Sequence, residues 1–153
     1  MDDIETLKRI LRETKTIAMV GLSAEWMRPS NFAAKYLKEH GYRIIPVNPR
    51  YKEILGERCY PSLLEIPEKV DVVDIFRRQE DVPPIVEDAI RIGAKVVWMQ
   101  LGIVNEEAAK RAREAGLEVV MNRCMKIEHA RLLAESLKLM GITTGVISSK
   151  KIR

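Results

Sequence analysis

The chain has 153 residues, 46% of them hydrophobic and 31% charged, with a formal net charge of +4. That length suits one domain whose core buries roughly two-thirds of the unfolded surface, and no apolar run reaches the roughly 18 residues that a membrane-crossing helix needs. The 26 basic and 22 acidic residues are mixed along the chain, which is too mild an imbalance to predict a nucleic-acid partner, and Cys59 and Cys124 stand far apart with no C-x-x-C spacing, which argues against a disulfide framework or a metal site.

The opening, MDDIETLKRI, is acidic and amphipathic and has no basic start followed by an apolar stretch, so the expected location is cytoplasmic. Asp2 or Asp3 caps a first helix with Ile4, Leu7, Ile10 and Leu11 on one face, running to about Glu13. A buried strand, Ile17 to Val20, stops at Gly21 and gives way to a polar loop carrying Ser23 and Arg28. Ser30 is expected as the cap of a helix from about Asn31 to His40, ended by Gly41. In that helix Phe32, Ala33, Tyr36 and Leu37 share an apolar face, and Trp26 and Met27 before it form either an apolar cover or part of the core.

The next strand, Tyr42 to Val47, runs into Asn48-Pro49-Arg50. A polar hairpin-like excursion follows, Lys52 to Tyr60, with Gly56 at its turn. Ser62 caps a short helical turn that Pro67 ends, and Val70 to Phe76 is a strand of β-branched residues. Pro83-Pro84 opens a helix that stops at Gly93. A strand from Lys95 to Gln100 leads to Gly102, then to a helix capped at Asn105 and ended at Gly116. Leu117 to Met121 is the last strand, Met125 to Met140 the last helix before Gly141, and Thr143 to Arg153 a tail.

Strands alternating with helices in this way predict an α/β fold: a doubly wound, mainly parallel five-stranded Rossmann-like sheet with helices on both faces, formed by one domain over residues 1–153. Ligands of such sheets bind outside the carboxyl ends of the strands, where strand order reverses. The residues collected there are Gly21, Leu22 and Ser23; Asn48, Pro49 and Arg50; Phe76 and Arg77; Gln100 and Gly102; and Asn122, Arg123 and Cys124. The set is polar, neutral to basic, and without a carboxylate, which argues against a metal-dependent hydrolase. A strand feeding a helix through a glycine turn aims free backbone N–H groups and the positive end of the helix dipole at one spot, which favours phosphate.

A dinucleotide fingerprint would show G-x-G-x-x-G after the first strand and an acidic residue after the second. Here Gly21 stands alone and the second strand ends in Asn48-Pro49-Arg50. Arg50, with Lys52, suits a phosphorylated ribose, which leaves NADP or coenzyme A. A Gly-Lys-Ser or Gly-Lys-Thr Walker signature is also missing, so ATP as a substrate is disfavoured.

The runs VGLSAEWMRPS, GYRIIPVNP, LGERCYPSL, VDVVDIFRR, WMQLG and VVMNRCMKIEHARL resemble those of the CoA-binding, Rossmann-like single-domain proteins, similar to the CoA-binding domain of the succinyl-CoA synthetase alpha subunit. The resemblance covers about residues 5 to 140. It implies coenzyme A held across the strand ends: Gly21, Leu22 and Ser23 at the pyrophosphate with Arg28 and Ser30 beside it, Val47, Asn48, Pro49 and Arg50 at the adenosine end, Phe76 and Arg77 in the middle, and Gln100, Leu101 and Gly102 along the pantetheine. Cys124, which follows Arg123 at a strand end and precedes a helix, either lies near the ligand thiol, where it can form a mixed disulfide with it, or is a small buried residue that closes the sheet.

The synthetase needs a phosphorylated histidine and a second domain. Here His40 and His129 fall on helices, with His129 expected to pair with Glu128 at the surface, so no catalytic residue is assigned. The expected function is a non-catalytic CoA- or acyl-CoA-binding module, sensor or subunit. The alternatives are an NADP-dependent enzyme, for which no proton-donor pair is found, and a ligand-responsive regulator, for which no helix-turn-helix is found.

Overall fold

The computed structural model describes residues 3–134. Helix α1 (Ile4–Glu13) starts where the Asp3 carboxylate accepts from the Thr6 N–H at 2.7 Å, and it buries Leu7, Ile10 and Leu11. Strand β1 (Thr16–Val20) follows, its start pinned by Asp71, which accepts from the N–H groups of Lys15 and Thr16 at 2.8 and 3.0 Å. Helix α2 (Pro29–Glu39) begins earlier than expected, with Arg28 in the cap position and Pro29 in the first turn. Proline suits that turn because it lacks an N–H that would have no intrahelical partner. Ser30 is therefore not the cap: its Oγ accepts from the Ser23 N–H at 3.0 Å instead.

Strand β2 (Arg43–Val47) leads to the small ladder of β3 (Glu53–Ile54) and β4 (Glu57–Arg58), which turns at Leu55 and Gly56 with φ of 53° and 76°. Two successive positive φ values match the twist of a tight hairpin. Strand β5 (Val72–Ile75), helix α3 (Val82–Arg91), strand β6 (Val96–Met99), helix α4 (Glu106–Glu114) and strand β7 (Glu118–Val120) complete the alternation. Asn105 caps α4 by accepting from the Ala108 N–H at 2.9 Å. Helix α5 (Met125–His129) passes into a π-type turn over Ala130–Ala134; the expected end at Gly141 and the tail lie outside the described residues.

The main sheet is parallel throughout, in the order β2-β1-β5-β6-β7. The chain leaves β1 towards β2 and later returns to β5 on the other side of β1, so the loops after β1 and β5 part in opposite directions and open a crevice. The period-two alternation of strand residues splits the core in two. Ile17, Met19, Ile44, Val72, Val96 and Trp98 pack under α1, α2 and α5. Ala18, Val20, Ile45, Val73, Ile75, Val97 and Met99 pack under α3 and α4. Among the described residues no helix is long and apolar enough to cross a membrane.

Candidate functional site

Three adjoining concavities run along the carboxyl ends of β1, β2, β5 and β6. Gly21 sits at the crossing point with φ of 91°, and a Cβ there would lie 2.4 Å from the Phe76 carbonyl oxygen and 2.9 Å from Arg77 Cδ. Only glycine allows both the positive φ and this close approach of the loop after β5. The loops are also stitched together: the Gly21 N–H donates to the Val47 carbonyl at 2.9 Å and the Phe76 N–H to that of Val20 at 2.8 Å. Asn48 adds a cross-tie, donating from Nδ2 to the Leu22 carbonyl at 3.0 Å and accepting at Oδ1 from the Arg50 N–H at 3.0 Å.

This internal bonding corrects the picture of a loop with free N–H groups. Those of Gly21 and Ser23 are both used within the protein, and Asn31 Nδ2 donates to the Ser23 carbonyl at 2.8 Å. What faces the first concavity, of about 300 Å³, is a preorganised rim that includes Gly21, Ser23, Glu25, Arg28, Ser30, Asn48, Arg50 and Phe76. Arg28 pairs with Glu25 at 3.5 Å, both exposed, a contact weak enough in water to be exchanged for a ligand anion. Among the described residues the Arg50 guanidinium has no ion-pair partner.

The second concavity, of about 330 Å³, lies on the other side of β1 and takes in Val47, Pro49, Arg77, Ser62 and Asp81. The third is a cleft of about 870 Å³, lined by Phe76, Arg77, Gln100, Leu101 and Cys124 together with Met27, Pro29, Phe32, Ile103, Lys126 and Ile127. Phe76 is common to the first and third, Arg77 to the second and third, so the three are contiguous. The site also contains carboxylates that the strand ends alone did not show: Glu25 in the first concavity, Glu80 and Asp88 in the second, and Asp81 in the second and third, where it pairs with Arg77 at 3.5 Å and Arg78 at 3.4 Å.

Two expected residues are not brought in by their side chains. Leu22 is wholly buried in the core and offers only its backbone. Gly102 lines none of the three concavities, and its N–H donates at 2.7 Å to Asn122 Oδ1. That bond, with Trp98 Nε1 donating to the Arg123 carbonyl at 2.8 Å, holds the Asn122–Cys124 turn against the end of β6. Asn122 tolerates its φ of 60° because its short amide side chain suits the left-handed region. Cys124 then stands half-buried at the cap position of α5, facing the cleft. Cys59 is buried and donates from Sγ to the Asn48 carbonyl at 3.3 Å.

The apolar wall was only partly readable. Trp26 and Met27 are 71% and 68% exposed, so the core reading fails for both, and Phe32 turns to the cleft although it shares the apolar periodicity of α2. Asp74 was missed. It is fully buried on β5 with neither carboxylate oxygen partnered, and burial pushes its carboxyl up to about 8. Its signal was present as a lone carboxylate inside the apolar run VDVVDIF. Gln100, projecting from β6 on the same face, is buried with its Oε1 unpartnered.

The histidines lie at the opposite end of the sheet. They line a separate hollow with Thr14, Lys15 and Tyr42. His129 is buried with Nδ1 2.9 Å from the Tyr36 hydroxyl, and desolvation lowers its pKa to about 4. It makes no surface pair with Glu128, whose carboxylate instead accepts from Arg131 at 2.5 Å and faces Arg123 at 3.6 Å.

Residues 15–130 match the family described as CoA binding domain. The uncharacterized protein YneT of Bacillus subtilis is 44% identical over 124 residues, covering 81% of this chain and 92% of that protein. A solved structure of a hypothetical protein from Pyrococcus horikoshii OT3 superposes with a TM-score of 0.84 at 52% identity, covering 86% of this chain and 93% of the other. ADP-forming acetate–CoA ligase I of Archaeoglobus fulgidus is 38% identical over 103 residues, which are 65% of this chain but 15% of the ligase. The chain belongs to the CoA-binding domain family.

Proposed function

We propose that this protein holds coenzyme A or an acyl-CoA across the carboxyl ends of β1, β2, β5 and β6 and serves as a binding module, sensor or subunit without turnover of its own. The observation that carries this reading is the gradient along the three contiguous concavities. Arg28 and Arg50, with Glu25, line the β1–β2 end, and apolar side chains predominate at the β6 end beside Cys124, among Arg77, Arg78, Asp81 and Lys126. That order suits a ligand with phosphates at one end and an uncharged arm ending in sulfur at the other. Arg28, Ser23 and Ser30 meet the pyrophosphate, Val47, Asn48, Pro49 and Arg50 the adenosine end, and Gln100 and Leu101 the pantetheine. Charge-assisted hydrogen bonds of this kind contribute about 1.5–3 kcal/mol each.

Cys124 extends the reading to covalent capture. Its thiolate attacks coenzyme A disulfide, one coenzyme A leaves as thiolate, and a Cys124–CoA disulfide remains, with sulfur oxidation states balanced by the exchange. Intact mass after exposure to coenzyme A disulfide shows a CoA-sized adduct that reductant removes, and its absence overturns this part.

The NADP-dependent enzyme has no counterpart in the relatives described above, and the location of both histidines away from the strand ends supports binding over catalysis. The deciding experiment is a thermal-shift comparison of coenzyme A, acetyl-CoA, NADP and NAD. Saturating coenzyme A or acetyl-CoA raises the midpoint by several degrees, since a ligand at about 100 times its Kd stabilises by about 2.7 kcal/mol. Stabilisation by NADP with none by coenzyme A overturns the proposal.

A further inference from the structure

The large cleft that holds Cys124 also has apolar walls. Met27, Phe32, Leu101 and Ile127 are 68%, 47%, 60% and 51% exposed, and they come from four different segments: the loop after β1, helix α2, the loop after β6 and helix α5. Single exposed apolar residues are ordinary, but four that converge on one concavity make a binding groove. At about 870 Å³ the cleft has the size of a small-molecule site.

Charged side chains also line it. Arg77 and Arg78 pair with Asp81 at 3.5 and 3.4 Å, and Lys126 Nζ lies over the rings of Phe32 and Tyr36 at 5.9 and 6.0 Å. Gln100, which lines the cleft, keeps a buried, unpartnered Oε1. Buried polar atoms without partners are rare enough to call for one.

Resting on the coenzyme A reading above, we infer that the physiological ligand is an acyl-CoA with an uncharged apolar acyl group of about four or more carbons, seated between Met27, Phe32, Leu101 and Ile127. A dicarboxylic acyl group is disfavoured because its distal carboxylate would be desolvated between these four apolar side chains. Acylation also blocks the sulfur, so the same ligand protects Cys124 from disulfide exchange with coenzyme A.

Titration calorimetry with coenzyme A, acetyl-, butanoyl-, hexanoyl- and succinyl-CoA tests this. Affinity rises up to about fourfold per added methylene, at least tenfold from acetyl- to hexanoyl-CoA, while succinyl-CoA binds no tighter than acetyl-CoA. I127S and M27S, both at exposed positions, flatten the rise. Equal affinity for coenzyme A and every acyl-CoA overturns the inference and leaves the coenzyme A reading standing. Binding of neither overturns both. Self-association that I127S abolishes, with no dependence on acyl length, would assign the apolar walls to a second copy of the chain and also overturn it.

Discussion

The two faces of one sheet are built to different standards. Under α3 and α4 the strands present alanine, valine, isoleucine and methionine, and the buried side chains there are apolar. Under α1, α2 and α5 the alternate residues of the same strands share their space with Asn48, Asp74 and Gln100, and the covering helices add Ser30, Asn31, Glu128 and His129, all buried. One face is apolar throughout its buried cluster, and the other accepts unfavourable polar burial, some of it at the strand ends that border the candidate site, where local rules are expected to be broken.

The sharpest way to break this comparison is to give the apolar face what its counterpart tolerates. V97D places a carboxylate among fully buried hydrophobics on β6, and a loss of about 4 kcal/mol or more is expected, seen as loss of a cooperative thermal transition. Next comes G21A, at the crossing of the loops, where the added Cβ meets the Phe76 carbonyl at 2.4 Å with φ of 91°. It should cost about 2–4 kcal/mol in denaturant unfolding and weaken coenzyme A binding, while the isosterically harmless outcome would deny the loop its constraint.

D74V tests the polar face in the opposite direction. The carboxyl titrates at about 8 in the fold against 3.8 when unfolded, so the native state holds a proton that the unfolded chain releases. Stability therefore falls as pH rises from about 4 to 8, by at most about 1.4 kcal/mol per unit. D74V should remove that slope and stabilise by about 1–4 kcal/mol at pH 8; an unchanged slope would mean that Asp74 is solvated. The smallest effect belongs to His129, lowered to about 4 from 6.5. Between those values the unfolded chain binds the extra proton, so stability falls as pH drops from 6.5 to 4. H129N, which keeps a group at the Tyr36 hydroxyl, costs about 1 kcal/mol and flattens that limb; retention of the limb would place the titration elsewhere.

The order of the main-sheet elements was legible because its strands are short apolar runs rich in β-branched residues and most helices end at a glycine or begin at a recognisable cap, as with Gly41 and Asn105. The strand-end residues were legible for the same reason, since topology alone brings Gly21, Asn48, Phe76 and Gln100 together. What stayed hidden depends on side-chain direction. Ser30 looked like a cap but answers Ser23, Phe32 kept the helical period yet faces the cleft, and His129 looked exposed beside Glu128 but is enclosed by Tyr36 and Tyr42. Asp74 could have been found by treating a carboxylate inside a parallel strand as an anomaly, because such strands are covered on both faces.

Strand β2 is the outer strand on its side of the sheet, yet it is not left bare. Tyr60 bridges to Val47, its N–H donates to the Pro46 carbonyl at 3.0 Å, and Pro46 itself has no N–H to offer. Lys38 and Arg43 both hold Glu57, at 3.0 and 2.6 Å, and so fasten the β3–β4 hairpin close by. An edge obstructed in this way gives a foreign strand little to zip onto, so the protein is guarded against fibril-like stacking at the side where its sheet would otherwise keep growing.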